Sequence, residues 1–493
     1  MKILYAVSEV RPFATTGGLG VVAGSLPGAF VRKGADCRVV MPLYNAIPDK
    51  YREDLKEIAQ IDIPFTKHEQ SCKVYEMLFE GLTYYFIGND FLFSREKELY
   101  GYEDDSERFA FFSLAILEML KYIGFKPDVI NVNDWHTSLV PVYRNVFYAQ
   151  NEFYSDIKIV LTIHNIGFQK TCDFNDLNTV FELPDTAAAI VEYGGQINLV
   201  KGGIEAADAF TTVSPTYAEE IAGGHAEKNI ADGVDYDFGN GLTPLIKERK
   251  WKLTGILNGL DDKNDPEKDP DIDMQYGIAN YKAGKRENKR KLQERMELSI
   301  RPDVPLISII TRIDVRQKGV ELIVDAINSG LFSDHDVQIA MLGDVAKGDE
   351  KGAILRDEFV KLAKGNEGKM SACIDFIPEL SQKIYAASDI ILVPSKYEPC
   401  GLTQLIAMKY GTIPVVRETG GLADTVTDNG AGQGNGFVFN EYSAEALRSA
   451  IDRALEGYKD PKGWDSLVKR AMAYDSSWDT NSAAEYIKLY KGL

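Results

Sequence analysis

Short apolar segments alternate with amphipathic segments along the whole chain, and this alternation restricts the possible folds more than any other feature. The first half contains the runs KILYAV, CRVVMPLY, TYYFIG, DVINVN, IKIVLTIHN and AFTTVS, and the second half contains PLISIITR, VQIAMLG, CIDFI, DIILVPS, TIPVV and GFVFN. Near-continuous apolar strands separated by helical patterns are typical of parallel sheets with helices on both faces. The sequence therefore predicts two such α/β sheets.

The length of the chain also requires more than one domain, because 493 residues exceed what one hydrophobic core normally serves. The acidic, proline-containing segment DDKNDPEKDPDIDMQYG, residues 261–277, interrupts the pattern and is interpreted as a linker. We expect an N-terminal domain over 1–260, a C-terminal domain over 261–474, and a final helix over 475–493 that returns to the first domain. Two doubly wound domains facing each other across a cleft would direct the carboxyl ends of both sheets toward one ligand.

Composition excludes several classes of partner. The net charge is −19 and the pI is about 4.9, so binding to nucleic acid or to an anionic membrane is not expected. The five cysteines form no CxxC pair, which argues against a zinc site and a disulfide scaffold. No signal-peptide pattern and no long apolar segment is found, so a soluble cytoplasmic protein is expected. The oligomeric state is not predictable from these features.

In the first half, candidate functional residues follow the predicted strands. The stretch ATTGGLGVVAG, residues 14–24, follows the first strand but matches neither GxGxxG nor a P-loop. Two of the five histidines, His136 and His164, stand at strand ends in NDWH and IHN, and their spacing does not fit the HExxH zinc motif. A histidine bonded within the core is the alternative interpretation for each of them.

In the second half, TRIDVRQKG brings Arg312, Arg316 and Lys318 together after a strand, where they are either solvated charges or cations for a departing diphosphate. The segment PSKYEPCGLTQLIAMKYG places Glu398 just before a predicted helix, where it either accepts sugar hydroxyls or stabilises the helix dipole. A second Thr-Gly-Gly-Leu turn, in RETGGLADTV at 417–426, repeats residues 16–19. The two turns suggest glycine loops that close on one ligand from opposite domains.

In this order the motifs resemble those of the bacterial glycogen synthase and plant starch synthase family, whose members are retaining glycosyltransferases of the α/β GT-B fold. The resemblance extends over SEVRPF, NDWHTSLVP, TIHNIGFQ, TTVSPTYAEEI, GILNGLD, TRIDVRQKG, PSKYEPCGLTQL, TGGLAD and the closing SSW. It implies transfer of glucose from ADP-glucose to the nonreducing 4-OH of an α-1,4-glucan, with the α configuration retained and without a metal or other cofactor.

The resemblance also implies roles for individual residues of this chain. Four are implied to be catalytic: His164 lines the glucosyl site, Arg312 and Lys318 stabilise the leaving diphosphate, and Glu398 holds sugar hydroxyls. The positions that match the donor site are Thr15, Gly17, Gly18, Asn258, Cys400, Gly401, Leu402, Thr403, Thr419 and Gly420. The positions that match the acceptor side are Tyr100 and Asp134.

Two departures from the family motif leave alternatives open. Relatives commonly read KTGGL(G/A)DV, whereas this chain has Thr15 in place of the lysine and Val21 in place of the aspartate. An aspartate there could orient the donor or cap the following helix. An active glucan synthase is therefore weighed against a synthase-like protein that binds nucleotide or glucan with little turnover. The preference between ADP-glucose and UDP-glucose is also open. A pyridoxal-dependent phosphorylase and a nicotinamide dehydrogenase fit the motifs less well.

Overall fold

The computed structural model describes residues 1–65, 71–95, 98–224, 236–261, 263–346, 348–375 and 377–493, apart from the side chain of Asn481. The described residues form two compact units. Unit 1 comprises Met1–Gly223, Asp237–Gly259 and Ser477–Leu493, and unit 2 is built mainly from Leu260–Ser476.

Unit 1 contains the strands of the first half of the chain. They are β1 (Lys2–Ala6), β2 (Asp36–Pro42), β3 (Lys56–Asp62), β4 (Ser71–Phe79), β5 (Leu82–Gly88), β6 (Val129–Asn133), β7 (Lys158–Ile163), β8 (Thr171–Asp173), β9 (Glu192–Tyr193), β10 (Gln196–Asn198), β11 (Ala209–Thr212) and β12 (Leu253–Gly255). The main sheet has the order β12-β11-β7-β6-β1-β2-β5-β4-β3, and only the pairings of β4 with β3 and β5 are antiparallel. Strands β8, β10 and β9 form a small separate sheet.

Helices of unit 1 cover this sheet and fill the connections between strands. They are α1 (Gly18–Arg32), α2 (Asp49–Arg52), α3 (Asp90–Phe93), α4 (Asp105–Met119), α5 (Asp134–Thr137), α6 (Leu139–Phe147), α7 (Asp176–Thr179), α8 (Ala188–Val191), α9 (Leu199–Ala206), α10 (Pro215–Ile221) and α11 (Thr243–Glu248). Side chains cap the N-termini of some of these helices. Asn198 accepts a hydrogen bond from Lys201 N at the start of α9, and Ser214 accepts one from Tyr217 N at the start of α10. Such caps satisfy amide groups that a helix cannot pair internally.

Unit 2 is built on one fully parallel sheet. Its strands are β13 (Leu306–Arg312), β14 (Gln338–Asp344), β15 (Met370–Ile374), β16 (Ile390–Val393), β17 (Ile413–Arg417) and β18 (Phe437–Phe439), in the order β15-β14-β13-β16-β17-β18. Its helices are α12 (Tyr281–Arg295), α13 (Val320–Asn328), α14 (Leu331–Asp334), α15 (Glu350–Gly365), α16 (Pro378–Ala387), α17 (Thr403–Lys409), α18 (Gly420–Thr425), α19 (Ala444–Tyr458) and α20 (Pro461–Met472). The strands that the apolar runs predict therefore form the centre of the unit.

Each main sheet has a topological switch point at its first strand. Strand β1 lies between β2 and β6, and β13 lies between β14 and β16, so the chain winds in opposite directions on the two sides of each. Ligands of open α/β sheets bind beyond the carboxyl ends of the strands at such a point. The residues that follow β1 and β6 in unit 1, and β13 and β16 in unit 2, are thus the ones that the fold presents for binding.

The interpretation of residues 261–277 as a linker is wrong for its described part. Asp269 and Tyr276 are both 2% exposed, and Ile272 belongs to the hydrophobic core of unit 2. The Tyr276 hydroxyl donates to the carbonyl of Tyr410 at 2.8 Å, and the Tyr410 hydroxyl donates to Asp269. These bonds, to a residue more than 130 positions away, make the acidic segment an integral part of unit 2.

The C-terminal segment packs on the first helix of unit 1. A π-helical turn over Trp478–Ser482 leads into α21 (Ala483–Lys491), and the rings of Tyr486 and Tyr490 lie 5.9 Å from that of Phe30 in α1. Arg32 at the end of α1 pairs with Asp479 at 2.9 Å. The chain end therefore completes the helical layer over β1. None of the helices in the described parts of the chain is both long and apolar enough for a membrane span.

Candidate active site

The loops after β13 and β16 are joined by close backbone contacts at the switch point of unit 2. Lys396 N donates to the carbonyl of Gln317 at 2.7 Å. Gly319 has φ = +63°, and a Cβ at this position would lie 2.0 Å from the carbonyl oxygen of Pro394. Only glycine fits both the left-handed backbone and the close approach. The TRIDVRQKG and PSKYEPCG motifs are consequently held against each other.

This contact places the ammonium group of Lys318 on the carboxylate of Glu398. The Lys318 Nζ lies 3.0 Å from Oε1 and 2.7 Å from Oε2. Ser395 Oγ donates a further hydrogen bond of 2.8 Å to Oε2. The Glu398 side chain is 8% exposed and that of Lys318 is 19% exposed, so the pair is shielded from solvent but reachable. Charge-assisted bonds of this kind fix the orientation of both groups.

Arg312 stands at the carboxyl end of β13 and is exposed. Its guanidinium contacts only the amide oxygen of Gln317, at 3.5 Å, and no carboxylate in the described parts of the chain pairs with it. Arg316, the third cation of the motif, is also exposed and lies 3.5 Å from Asp314. Unit 2 therefore presents the guanidinium of Arg312, which contacts the residue before Lys318 in the chain.

The two turns at 398–401 and 419–421 are packed together. Gly421 N donates to the Glu398 carbonyl at 3.0 Å, and a Cβ on Gly421 would lie 2.1 Å from the carbonyl oxygen of Cys400. Gly401 has φ = +77°, and its carbonyl and that of Cys400 accept bonds from the side-chain amide of Gln404. Because Gln404 holds these carbonyls, the turn has one fixed conformation.

The remaining predicted donor residues of unit 2 lie around these turns. Leu402 and Thr403 are half-buried at the start of α17, whereas Cys400 is 4% exposed. Thr419 is fully buried, and Gly420 is buried with φ = +44° at the start of α18. The two glycine-rich segments of unit 2 therefore lie against each other.

In unit 1, the turn after β1 is organised by Glu9, a residue that sequence reasoning missed. Its carboxylate accepts hydrogen bonds from Thr16 N at 2.6 Å, Thr16 Oγ1 at 2.7 Å and Gly20 N at 3.0 Å. Glu9 is 2% exposed. Gly17 and Gly18 are exposed, and no atom lies within 4 Å of a Cβ at either position. The glycines thus present open backbone, with the turn held from behind by a carboxylate.

The helix cap considered for position 21 lies elsewhere in the structure. Helix α1 starts at Gly18 with Gly17 as N-cap, so Val21 is the fourth helical residue, and it is half-buried. The capping interaction comes from Glu9, which accepts the bond from Gly20 N at the third helical position. Loss of an aspartate at position 21 therefore removes no N-cap. Thr15 is exposed, and its hydroxyl donates to the Gly17 carbonyl at 3.3 Å.

Asp134 and His164 follow the adjacent strands β6 and β7 and contact each other. Asp134 Oδ1 accepts a hydrogen bond of 2.7 Å from the backbone amide of His164. Burial raises the pKa of Asp134 to about 7, against the lowering effect of the amides of His164 and Asn165, and the charge of Glu9 raises it further. Asp134 also has φ = +54°, a conformation that is uncommon outside glycine and is often retained at functional sites.

His164 has a defined tautomer. Its Nε2 lies 2.9 Å from Oδ1 of Asn133, and the Asn133 amide is oriented by its own bond from Nδ2 to the Ala6 carbonyl at 3.0 Å. Because Oδ1 can only accept, Nε2 carries the proton and Nδ1 is left as an acceptor. Burial lowers the pKa of His164 to about 3. At neutral pH the ring is therefore uncharged and can accept a hydroxyl hydrogen bond.

The two other predicted residues of unit 1 differ in their surroundings. Tyr100 bonds through its hydroxyl to Ser8 Oγ at 2.8 Å, and its ring lies 4.5 Å from that of His136. Burial raises the pKa of Tyr100, and the charges of Glu9 and Asp134 raise it further. Asn258 is 8% exposed, and among the described residues its Oδ1 has no hydrogen-bond partner. No contact in the described structure joins Asn258 to Tyr100.

Glu9 was predictable from its position, since it is the third residue after β1, in SEVRPF. Asn133 and Ser395 were not predictable, because their contacts depend on tertiary structure. Among the described residues, no group of three or more His, Cys, Asp or Glu side chains is arranged to hold a metal ion.

Comparisons with known proteins identify the family of the chain. A family model for the starch synthase catalytic domain matches residues 2–248, and a model for glycosyl transferases group 1 matches residues 291–470. The glycogen synthase of Clostridioides difficile is 42% identical over 501 residues, with 100% of both chains covered. That of Geobacillus stearothermophilus is 40% identical over 498 residues, covering 100% of this chain and 98% of the relative.

Solved structures give the same result. The catalytic domain of starch synthase IV from Arabidopsis thaliana, bound to ADP and acarbose, has a TM-score of 0.87 and 34% identity, and the match covers 100% of this chain and 98% of that chain. Sucrose-phosphate synthase from Thermosynechococcus elongatus shares the fold alone, with a TM-score of 0.60 at 18% identity. The predicted GT-B fold and the predicted family are thereby confirmed. This chain belongs to the glycogen and starch synthase family of glycosyltransferases.

Proposed function

We propose that the chain transfers the glucosyl group of ADP-glucose to the nonreducing 4-OH of an α-1,4-glucan, with retention of the α configuration. The observation that carries the proposal is the Lys318–Glu398 pair at the switch point of unit 2, where the loop that follows Arg312 supplies a second cation and the loop after β16 supplies an oriented carboxylate. This combination suits a nucleotide sugar, which has an anionic diphosphate next to a neutral, hydroxyl-rich ring.

Arg312 and Lys318 bind the diphosphate in this proposal. As the bond between C1 of glucose and the diphosphate oxygen breaks, negative charge grows on the leaving group. Preorganised cations stabilise that charge, and loss of one such contact typically costs about 3–4 kcal/mol of transition-state stabilisation. Arg312 is the more available of the two, since its guanidinium has no carboxylate partner among the described residues.

Glu398 binds the sugar. A carboxylate offers about four acceptor positions. Lys318 and Ser395 occupy some of them and fix the group. The positions that remain can accept bonds from glucose hydroxyls. The ion pair therefore ties the group that holds the sugar to the group that holds the phosphate.

The residues of unit 1 contribute uncharged polar contacts. Neutral His164 accepts a sugar hydroxyl at Nδ1, and Asp134 holds the His164 backbone. Tyr100 provides an aromatic surface for the glucan, and the Gly17–Gly18 turn allows the donor to approach the backbone. Asn258, with its unpaired Oδ1, is assigned to the donor.

The proposed transfer involves no change of oxidation state. The C1–O bond to the diphosphate breaks, the acceptor O4 bonds to C1 on the same face, and the O4 proton passes to the departing phosphate oxygen. Because the cations of the chain take the leaving-group charge, we propose that the reaction requires no metal. Activity that survives EDTA would support this point, and activity restored only by a divalent cation would contradict it.

A parallel assay with two donors tests the function. The purified protein is incubated with ADP-glucose or UDP-glucose and maltoheptaose, and nucleotide diphosphate release and glucan length are both measured. We expect ADP release matched by addition of α-1,4 glucose units, with a slower reaction from UDP-glucose. A faster reaction with UDP-glucose would overturn the donor assignment alone.

A second candidate function is binding of nucleotide or glucan with little turnover. Thr15 favours it, because the chain has no charge where the family motif commonly has lysine. Binding of maltoheptaose without release of ADP or UDP would support that candidate. It would also end the proposal of a synthase.

A further inference from the structure

Arg108 is the largest fully buried side chain of the protein's described residues, and it lies outside the residues assigned above. It projects from the first turn of α4, where its Nη1 contacts Oδ1 of Asp105 at 2.5 Å. The side chains of Arg108 and Asp105 are 0% and 5% exposed. A buried ion pair of this kind adds little net stability, because desolvation offsets the attraction. A buried ion pair can instead specify a conformation, through the hydrogen bonds that its two groups make.

The Arg108–Asp105 pair hydrogen-bonds to the backbone of the residues before and after Tyr100. Arg108 Nη1 donates to the carbonyl of Leu99 at 3.1 Å, immediately before Tyr100. Gly101, immediately after it, donates its amide to Oδ2 of Asp105 at 2.7 Å. One ion pair thus fixes the backbone on either side of a single aromatic residue.

Arg108 also makes a hydrogen bond to α3. Arg108 Nε donates to the carbonyl of Leu92 at 2.7 Å. The guanidinium therefore links the end of α3, the residue before Tyr100 and the start of α4 through one planar group. Because the fork of an arginine can reach several acceptors at fixed angles, a lysine cannot reproduce these bonds.

The position of Tyr100 matters because of its neighbours. Its hydroxyl bonds to Ser8 at the end of β1, and its ring faces His136, the residue two positions after Asp134. A shift of the backbone at 99–101 would move the tyrosine ring relative to the end of β6.

We propose that the Arg108–Asp105 pair is a positioning device that sets Tyr100 for binding of the glucan chain. The proposal rests on the proposed function, in which Tyr100 contacts the acceptor. Arg108 and Asp105 act through Tyr100 and are positioning residues, without contact to substrate.

The test is the variant R108K, which keeps the positive charge but removes the guanidinium group and its several donors. The dissociation constant for maltoheptaose is measured by calorimetry and that for ADP is measured in parallel, so the result does not depend on turnover. We expect the constant for maltoheptaose to rise about tenfold, which corresponds to ~1.4 kcal/mol of binding free energy. The constant for ADP should stay within about twofold of wild type.

A second variant covers the case in which R108K does not fold. Gly101 has φ = +97°, and no atom lies within 4 Å of a Cβ at this position. G101A therefore strains the backbone next to Tyr100 without a packing clash. It should weaken maltoheptaose binding in the same direction as R108K.

R290K is the matched control, because Arg290 pairs with Glu287 at the same helical spacing but both side chains are 39% exposed. It should change neither constant. The decisive comparison uses a Y100A background, in which R108K should have no further effect on maltoheptaose binding. Additive effects of R108K and Y100A, or equal weakening of ADP and maltoheptaose by R108K, would overturn the proposal.

The two proposals fail in different ways. If wild-type protein binds maltoheptaose but does not elongate it, the proposed function fails while the positioning test remains readable. If Y100A binds maltoheptaose as wild type does, the positioning proposal fails while synthase activity can stand.

Discussion

Lys318 Nζ contacts both carboxylate oxygens of Glu398, at 3.0 and 2.7 Å. The two residues come from different loops, after β13 and β16, and are 80 positions apart in the chain. The group that would stabilise the leaving diphosphate and the group that would hold the sugar are therefore one electrostatic unit. Changing either one alters the environment of the other.

The first prediction concerns this pair. K318M should lower kcat by about 100- to 1,000-fold, the effect of losing one preorganised contact. It should also lower the thermal midpoint, because it leaves Glu398 buried and unpaired. Breaking a fully buried pair costs about 3–5 kcal/mol, and the cost here should be smaller since Lys318 is 19% exposed.

K383M is the control for that variant, because Lys383 pairs with Asp273 at 3.1 Å in unit 2, outside the site. It should leave kcat unchanged. The double variant K318M/E398Q should recover thermal stability without recovering activity. Near wild-type kcat in K318M would remove Lys318 from the site.

Glu9 gives a second prediction. Glu9→Ala removes three hydrogen bonds from the turn after β1 and should destabilise the protein by about 1–3 kcal/mol. It should also lower kcat/KM, because the turn is no longer held. The thermal midpoint and the steady-state rate are measured on the same preparation.

Asp349→Ala separates the two effects of that change. Asp349 caps α15 by accepting a bond of 3.0 Å from Gly352 N, and it lies outside the assigned site. Its removal should lower the midpoint and leave kcat/KM unaffected. Equal losses of kcat/KM in both variants would show that activity follows stability alone.

A third prediction follows from Thr15. Thr15→Lys restores the charge common in relatives, on an exposed residue beside the open backbone of Gly17 and Gly18. It should lower the KM for ADP-glucose about tenfold, which corresponds to ~1.4 kcal/mol. It should slightly destabilise the protein, by about 0.3–1 kcal/mol, because a cation is unfavourable near a helix N-terminus.

Thr15→Met controls for the length of the new side chain without its charge. The gain with lysine should also shrink at high salt, as expected for an exposed charge. An unchanged KM in Thr15→Lys, or the same gain with methionine, would show that charge at position 15 does not serve the donor.

The fourth prediction is a pH dependence from Asp134, whose pKa burial raises from 3.8 to about 7. The folded protein holds this proton up to about pH 7, whereas the unfolded chain releases it near pH 4. The contribution of Asp134 to stability is thus fully present below about pH 4 and is lost as the pH rises through 7. Relative to Asp134→Asn, the free energy of unfolding should decrease over this interval.

The ionisation of Asp134 should also change kcat/KM with pH. The pH profile of kcat/KM should show an inflection near 7 that is missing in Asp134→Asn. Parallel profiles for the two proteins would place the pKa of Asp134 outside this range.

The strands and the position of most site residues follow from local sequence. Apolar runs identify β1 and β13, and glycines and charges in the loops that follow β1 and β16 identify the turns at 17–18 and 398–403. This works because parallel sheets bury both faces of each strand and bind ligands at the carboxyl ends. The pairing of Lys318 with Glu398 is not visible in this way, since it depends on the adjacency of β13 and β16.

The errors have a common physical cause, which is contact between distant residues. The segment 261–277 has the composition of a linker, but Tyr410 and Ala386 accept bonds from Tyr276 and so hold it in unit 2. The family motif suggested a helix cap at position 21, where this chain has valine, whereas Glu9 supplies the cap from 11 residues away. Arg108 looks like an ordinary helical arginine until its carbonyl partners are known.

A crystal structure of the protein with ADP tests the assigned site most directly. The diphosphate should lie within hydrogen-bonding distance, about 3 Å, of both the Arg312 guanidinium and Lys318 Nζ. The Glu398 carboxylate should face the space beyond the terminal phosphate. A diphosphate bound elsewhere, with the Lys318–Glu398 pair unchanged and Arg312 in solvent, would contradict this assignment.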